Sequence, residues 1–451
     1  MKKRLLWLLI TIVLSLLALI FLSSCEDLVK YGGKVVEDED QDWFTDEDTT
    51  EHQPTGWIGS IEEFGDWKAR KIISVDETYN KYEAYEVVEY IGSSGELIIP
   101  AQFEGVPIGY IDYKAFLNTS FWGNAFETIT SQLEDSQSFK MDDLLEYYDT
   151  GDGLLHGCKF FEKIYYEGDI SSWCNIVFER INPINWGENF YVNNELVTEI
   201  TIPNGVKKIG SYAFYGWKGT KVVIPGSVKS LGEDAFLKCE NLTSVTLNEG
   251  TTTIGKECFS KCKNLAEINF PRSVTTIERY AFNECGKLKS IELTGKIRKI
   301  EGGTFSGCSD LESIVVPNTL RAIECNAFFG CSSLESIVLP DEMIKISSGA
   351  FCGCKKLEEM TIGSKVDYIG KNAFAGCENL KSIAFADPNG WLATNTVIID
   401  NDSDNWWNSN RNIKYDSDRR WWNGKTADVT DPTKNAQEML TQGMCLYRDK
   451  E

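Results

Sequence analysis

The sequence predicts an α/β repeat fold: a solenoid of coils about 23 residues long with short parallel strands, irregular coils at its N-terminal end and a cap at its C-terminal end. Three observations predict it. Eight phenylalanines (Phe214, Phe236, Phe259, Phe282, Phe305, Phe328, Phe351 and Phe374) recur with one step of 22 residues and six of 23. Other columns keep step with them: isoleucine or leucine five residues before, a small residue just before, cysteine three after and leucine six after. Nine and eleven after each phenylalanine stand apolar pairs such as Ile268 and Phe270 or Ile291 and Leu293. That alternation is the period of a short strand with one buried face. A fixed period of this length marks stacked coils. One coil cannot bury its own apolar side, so stacking turns the columns into a continuous core.

The strand segment reads Leu-x-x-Φ-x-Φ, with Φ apolar, and the interval from there to the next isoleucine reads as turn or loop. The segment resembles the leucine-rich repeat. The fuller wording, IPxxVxxIxxxAFxGCxxLxxI, is seen in Ile202-Pro203…Val206…Ile209…Ala213-Phe214 and in Val316-Pro317…Leu320…Ile323…Ala327-Phe328-Phe329-Gly330-Cys331. It resembles the BspA-like class of leucine-rich repeat surface proteins, over residues 97–386 with interruptions. A regular asparagine after the strand is missing, so the turn there must be satisfied in another way. The resemblance implies a binding protein at the cell surface, attached to host matrix proteins or to other cells.

In chain order, residues 1–24 read as a signal peptide: Lys2-Lys3-Arg4, an apolar run from Leu5 to Leu22, then small residues. Leu22-Ser23-Ser24-Cys25 resembles a bacterial lipobox, which implies cleavage before Cys25 and lipid on its thiol. An uncleaved signal anchor is the alternative, since the run approaches spanning length. Either way the chain is expected to be exported and held to a membrane at the bacterial envelope. Residues 25–56 are rich in Asp and Glu, as in Glu37-Asp38-Glu39-Asp40, and read as an extended tether.

Residues 57–196 read as an N-terminal cap and irregular coils. Tyr82–Ile91 is a strand candidate. Leu97…Ile111…Ala115-Phe116 restates the repeat, and a helix-prone insertion follows at about residues 128–150. Gly157-Cys158…Phe161…Ile164…Tyr166 then resumes the columns, with Leu154 and Leu155 at the Ala-Phe positions. Residues 164–203 resemble an irregular segment of BspA-like proteins and read as a lengthened coil with extra hairpin strands. Residues 197–386 are the regular array.

The chain has 14 cysteines, and Cys158 with the seven from Cys239 to Cys377 forms the ladder, with Trp217 in that place in the first regular coil. Neighbouring rungs stand ~4.8 Å apart. Side chains in a ladder point the same way, which opposes bridging, and cysteine packs as a small hydrophobe. Buried reduced thiols are expected, with accidental oxidation open to Cys258, Cys325, Cys352 and Cys445. No spacing fits a zinc site.

Residues 387–451 leave the period and carry Trp391, Trp406, Trp407, Trp421 and Trp422. The phrase Val429-Thr430-Asp431-Pro432…Asn435-Ala436 resembles the ending of BspA-like chains. The tryptophans read as a cap over the last coil; the sharper alternative is a set of aromatic contacts for glycans, from Trp406, Trp407, Trp421 and Trp422. Asp400-x-Asp402-x-Asp404 imitates a calcium loop, but Asn405 stands where its glycine belongs.

The outward strand positions form rows of small side chains. Ser290, Glu292, Ser313, Val315, Ser336, Val338 and Glu359 make the candidate binding face, with Val315 and Val338 as a contact patch. Serine as solvated filler is the plain alternative. No P-loop, G-x-S-x-G, H-E-x-x-H or dinucleotide fingerprint is present, so neither an enzyme nor a cofactor is expected. A net charge of −23 speaks against nucleic acid as a partner. The expected partners are host extracellular matrix or surface proteins, or glycans; the other readings are a glycan-capturing lipoprotein and a structural envelope protein without a dedicated ligand.

Overall fold

A computed structural model describes residues 56–116 and 161–386 except 58–59, 76–80, 93–94, 112 and 180–181. It also describes short strands at Trp391–Thr394, Val397–Ile398, Lys414–Tyr415, Arg420–Trp421 and Cys445–Arg448. All of these lie in the compact unit Pro54–Glu451. The signal peptide, Cys25, most of the tether, the insertion and the side chains of Trp406, Trp407, Trp421 and Trp422 lie outside the described residues.

The molecule is a parallel-strand solenoid. Each regular coil contributes one strand to a first sheet, paired in three runs: Lys221 aligns with Ser244 and Ser244 with Glu267, then Ser290 with Ser313 and Ser313 with Ser336, then Glu359 with Ser382. Along these strands burial alternates as the sequence pattern requires; Ser313 and Val315 are exposed on either side of buried Ile314. After the strand the chain turns on a backbone bond from residue i+3 to residue i, as from Val274 to Pro271 and from Leu320 to Pro317. This turn replaces the missing asparagine, and proline can serve as acceptor there because only its carbonyl is used.

The isoleucine column, whose approach reads as turn or loop in the sequence, forms a second parallel sheet. Its strands are two residues long: Thr253-Ile254 pairs with Thr276-Ile277, and Lys299-Ile300 with Ala322-Ile323. A strand that short contains no alternation by which sequence alone could separate it from a turn.

The phenylalanine lies in the third side of the coil, a ladder of turns. The backbone N–H groups of Tyr280, Phe282 and Glu284 donate to Gly302, Thr304 and Ser306 of the next coil at 3.0, 2.9 and 2.7 Å. The alternate N–H groups close turns inside their own coil. No backbone N–H from Tyr280 to Glu284 is thereby left to burial without a partner. The geometry demands positive φ two residues before and after the phenylalanine: 58° at both Tyr280 and Glu284, 56° at Asn326, 72° at Gly330. The rings stack rung on rung, at 5.4 Å from Phe259 to Phe282 and 5.6 Å from Phe282 to Phe305, with planes within 12°. Each buried phenylalanine contributes roughly 1.5–3 kcal/mol.

The N-terminal coils continue the sheets with different contents. Strands β1 (Gly56–Trp57), β2 (Glu62–Phe64), β3 (Trp67–Val75) and β4 (Lys81–Tyr90) form an antiparallel cap. From there parallel coils begin. Strand β5 (Glu96–Ile99) enters the first sheet, and β6 (Gln102–Phe103) turns into β7 (Val106–Ile111), which pairs with β4. Strand β8 (Phe161–Tyr166) pairs with β5, and the short helix α1 (Ile170–Cys174) follows, the one α-helix among the described residues. Strand β9 (Val177–Phe178) joins β7, and β10 (Gly187–Val192) joins β8. Strand β11 (Glu195–Leu196) folds back on β10 through Asn193 and Asn194, both at positive φ, as a tight hairpin twist requires. At the other end Cys445–Arg448 lies antiparallel on Tyr368-Ile369 of the second sheet. Antiparallel strands thus stand at the start of the described N-terminal coils and beside the last strand of the second sheet, where an open edge would invite further chains.

Candidate binding face

Among the described residues the interior columns hold no group placed to react. Every described ladder cysteine is free and buried. The Cys262, Cys285, Cys308, Cys331, Cys354 and Cys377 thiols donate to the Phe236, Phe259, Phe282, Phe305, Phe328 and Phe351 carbonyls of the preceding coil, 26 residues upstream, at 3.0–3.2 Å. Each of these carbonyls also accepts the N–H of the cysteine in its own coil, so both lone pairs are used. Burial pushes the thiols up, to about 12 at Cys308 and Cys377. A thiol held neutral is a poor nucleophile and a poor metal ligand. Trp217, in the first regular coil, fills the cysteine place and donates its indole N–H to Val197 at 2.9 Å. Among the described residues no group of three His, Cys, Asp or Glu side chains is placed to hold a metal ion.

What the molecule presents is the outward side of the first sheet. Ser290, Ser313 and Ser336 are exposed and in register on successive strands. Glu292 aligns with Val315, and Val338 follows one rung on because Ile314 aligns with Ile337. Val315 is 59% exposed and Val338 is 84% exposed. Glu359 stands beside Ser382. The structure therefore brings all seven residues of the candidate face onto one side of consecutive strands. Alongside runs a row of carboxylates, Glu312, Glu335 and Glu358, whose backbones are bonded rung to rung. Lys356 reaches Glu335 at 3.6 Å and Lys381 reaches Glu358 at 2.9 Å. The Lys381 ammonium is held above its usual range, first by the hydrogen bond to Glu358.

A second outward cluster is absent from the sequence reading. Ile98, Tyr165, Tyr191 and Leu196 align across β5, β8, β10 and β11. Ile98 and Leu196 are exposed, and the two tyrosine rings stack at 4.8 Å. The signal was available: in Ile164-Tyr165-Tyr166 and Phe190-Tyr191-Val192 the middle residue must point away from the core. It was hidden because tyrosine serves equally well in or out.

The BspA type leucine-rich repeat region matches this chain in six copies, over residues 184–312 and 298–390. No curated protein matches the sequence. Similar solved structures include a leucine rich cell surface protein from Faecalibacterium prausnitzii A2-165, 18% identical with a TM-score of 0.35, covering 73% of this chain and 96% of that one. They also include the T. pallidum Leucine Rich Repeat protein, 17% identical with a TM-score of 0.28 (71% and 91% covered), and the pneumococcal vaccine antigen PcpA, 15% identical with a TM-score of 0.31 (73% and 88% covered).

Proposed function

We propose, on the premise that residues 184–390 belong to the BspA-type leucine-rich repeat family, that this chain is an exported surface protein that binds a macromolecular partner through the outward side of its first sheet. A solenoid of this kind is a binding scaffold, and its product is surface. The observation that carries the reading is the pair Val315 and Val338, bare aliphatic side chains on adjacent rungs, with hydroxyls and carboxylates at the nearby outward positions Ser290, Glu292, Ser313, Ser336 and Glu359. Exposed apolar side chains that adjoin on a rigid face are what protein contacts use. The partners that fit the family are host extracellular matrix proteins or the surface of other cells. Binding of the purified chain to immobilised matrix proteins tests this. Val338→Lys with Ser313→Arg is expected to weaken capture by about tenfold or more with an unchanged melting curve; equal capture by the variant rejects the face.

The export reading rests on the basic, apolar and small-residue order of residues 1–24 and on the lipobox-like Leu22-Ser23-Ser24-Cys25. Cys25→Ala is expected to abolish lipid labelling and to move the protein out of the membrane fraction. The glycan reading rests on Trp406, Trp407, Trp421 and Trp422 in the sequence alone; glycan-array binding lost in Trp406→Ala with Trp421→Ala, and kept in the sheet-face variant, would favour it.

A further inference from the structure

Val315 and Val338 are bare, and the groups around them say what kind of chain would cover them. Five exposed carboxylates, Glu292, Glu312, Glu335, Glu358 and Glu359, lie about the two valines, against two lysines, Lys356 and Lys381, which reach Glu335 and Glu358 in exposed and therefore weak ion pairs. This excess is local. Residues 197–386 contain 23 Lys and Arg against 21 Asp and Glu, so the array as a whole is close to neutral, and the acidic balance of the chain lies elsewhere. Like charges on neighbouring strands repel. Here the carboxylate row lies on three successive rungs, with Val315 and Val338 three positions further along their own strands and Ser313 and Ser336 between.

We propose that this stripe docks an extended protein segment that sets Lys or Arg side chains against the Glu312–Glu335–Glu358 row and aliphatic side chains on Val315 and Val338. The inference rests on the reading that this face is the binding surface, and it names the partner's chemistry. The segment runs along the stack, across the strands. Its spacing follows from geometry: two rungs span ~9.6 Å, and one three-residue turn of polyproline II spans about 9.3 Å. Cations three residues apart therefore meet every second carboxylate, whereas the roughly 6.6 Å repeat of a flat strand falls out of step. The same stripe is wrong for the other polymers. It offers no flat ring for a neutral sugar, and it repels polyanionic glycans and nucleic acids.

The test uses the full purified chain and labelled synthetic peptides. One peptide carries Lys at every third position with Pro and Val between; the others have Lys at every second position, Glu for Lys, or Ser for Val. The first is expected to bind best, to weaken as salt rises, and to lose about tenfold against both Val338→Ser and Glu312→Gln with Glu358→Gln. These exposed substitutions leave the fold intact, and the melting curve verifies that. No binding of the first peptide, or binding that ignores the variants, overturns the proposal. If the Glu peptide binds better and depends on Val338, the face stands and its cationic partner falls. If matrix capture is insensitive to Val338→Lys, the face itself falls.

Discussion

The regular array and the irregular N-terminal coils solve one packing problem in two ways. In both, parallel strands stack and every coil must fill the space between its sheets. The array fills it with one phenylalanine, one cysteine and one leucine per coil, all fully buried from Phe236 to Phe351. The N-terminal coils fill it with Trp67, Tyr85, Tyr90, Phe116, Trp173 and Trp186, each in its own setting. Trp173 illustrates the second way: its indole N–H donates to Ala213 at 2.6 Å, and buried Asn182 donates to the same carbonyl at 2.7 Å. The array repeats one solution, so an error in one coil is felt equally by both neighbours; the N-terminal coils use solutions that depend on single polar contacts.

Truncation separates these most sharply. Phe282→Ala opens a hole between two stacked rings and is expected to cost about 3–5 kcal/mol, with denaturant unfolding splitting into two phases as the array parts there. A single unchanged transition would show that the rungs are not coupled. Asn182→Ala removes donors to Tyr212 and Ala213 and the acceptor for the Ile184 N–H. It is expected to cost about 2–4 kcal/mol, seen in the same assay as a loss confined to the N-terminal phase.

The cysteine ladder gives the array a pH signature. The thiols of Cys262, Cys285, Cys308, Cys331, Cys354 and Cys377 ionise later in the folded chain than in the unfolded one, since burial raises them. The unfolded chain therefore loses protons first as pH rises past about 8.5. Stability is complete below that point and falls from there up to about 12, the raised value of Cys308. Alkaline melts should show it, and Cys308→Ala with Cys331→Ala should flatten the slope at some cost in neutral stability. Native thiol labelling is expected to favour Cys325 and Cys352, which are partly exposed, over the buried ladder.

The smallest effects probe the turns. Gly353 sits at φ +77° with Gly330 close by, so Gly353→Ala is expected to cost about 1 kcal/mol. Lys261 occupies the equivalent place at φ 59°, and Lys261→Gly is expected to be neutral or stabilising by up to about 1 kcal/mol. If both substitutions destabilise alike, the turn ladder does not set the backbone preference.

Much of this was legible. The columns of Phe259, Cys262, Leu265 and Ile268 predicted both the coil and its stacking, and the outward serines and valines followed from strand alternation. The second sheet was not, because Thr276-Ile277 is too short to show a period. Nor were the positive-φ positions: Glycine appears at Gly330 and Gly353, but Tyr280, Glu284 and Lys261 occupy the same conformation without announcing it. The carboxylate row beside Val315 and Val338 was visible only as scattered glutamates.

The sequence by itself determined that the chain stacks, with what period, and which side chains go inside, because burial must repeat wherever the coil repeats. The tertiary structure decided what residues 23 apart do to one another across rungs. Thiols meet carbonyls of the coil before, Lys263 meets Glu240 and Lys381 meets Glu358, and five carboxylates gather about two valines. Periodicity fixes where a residue sits in its own coil; only contact between coils fixes the company it keeps.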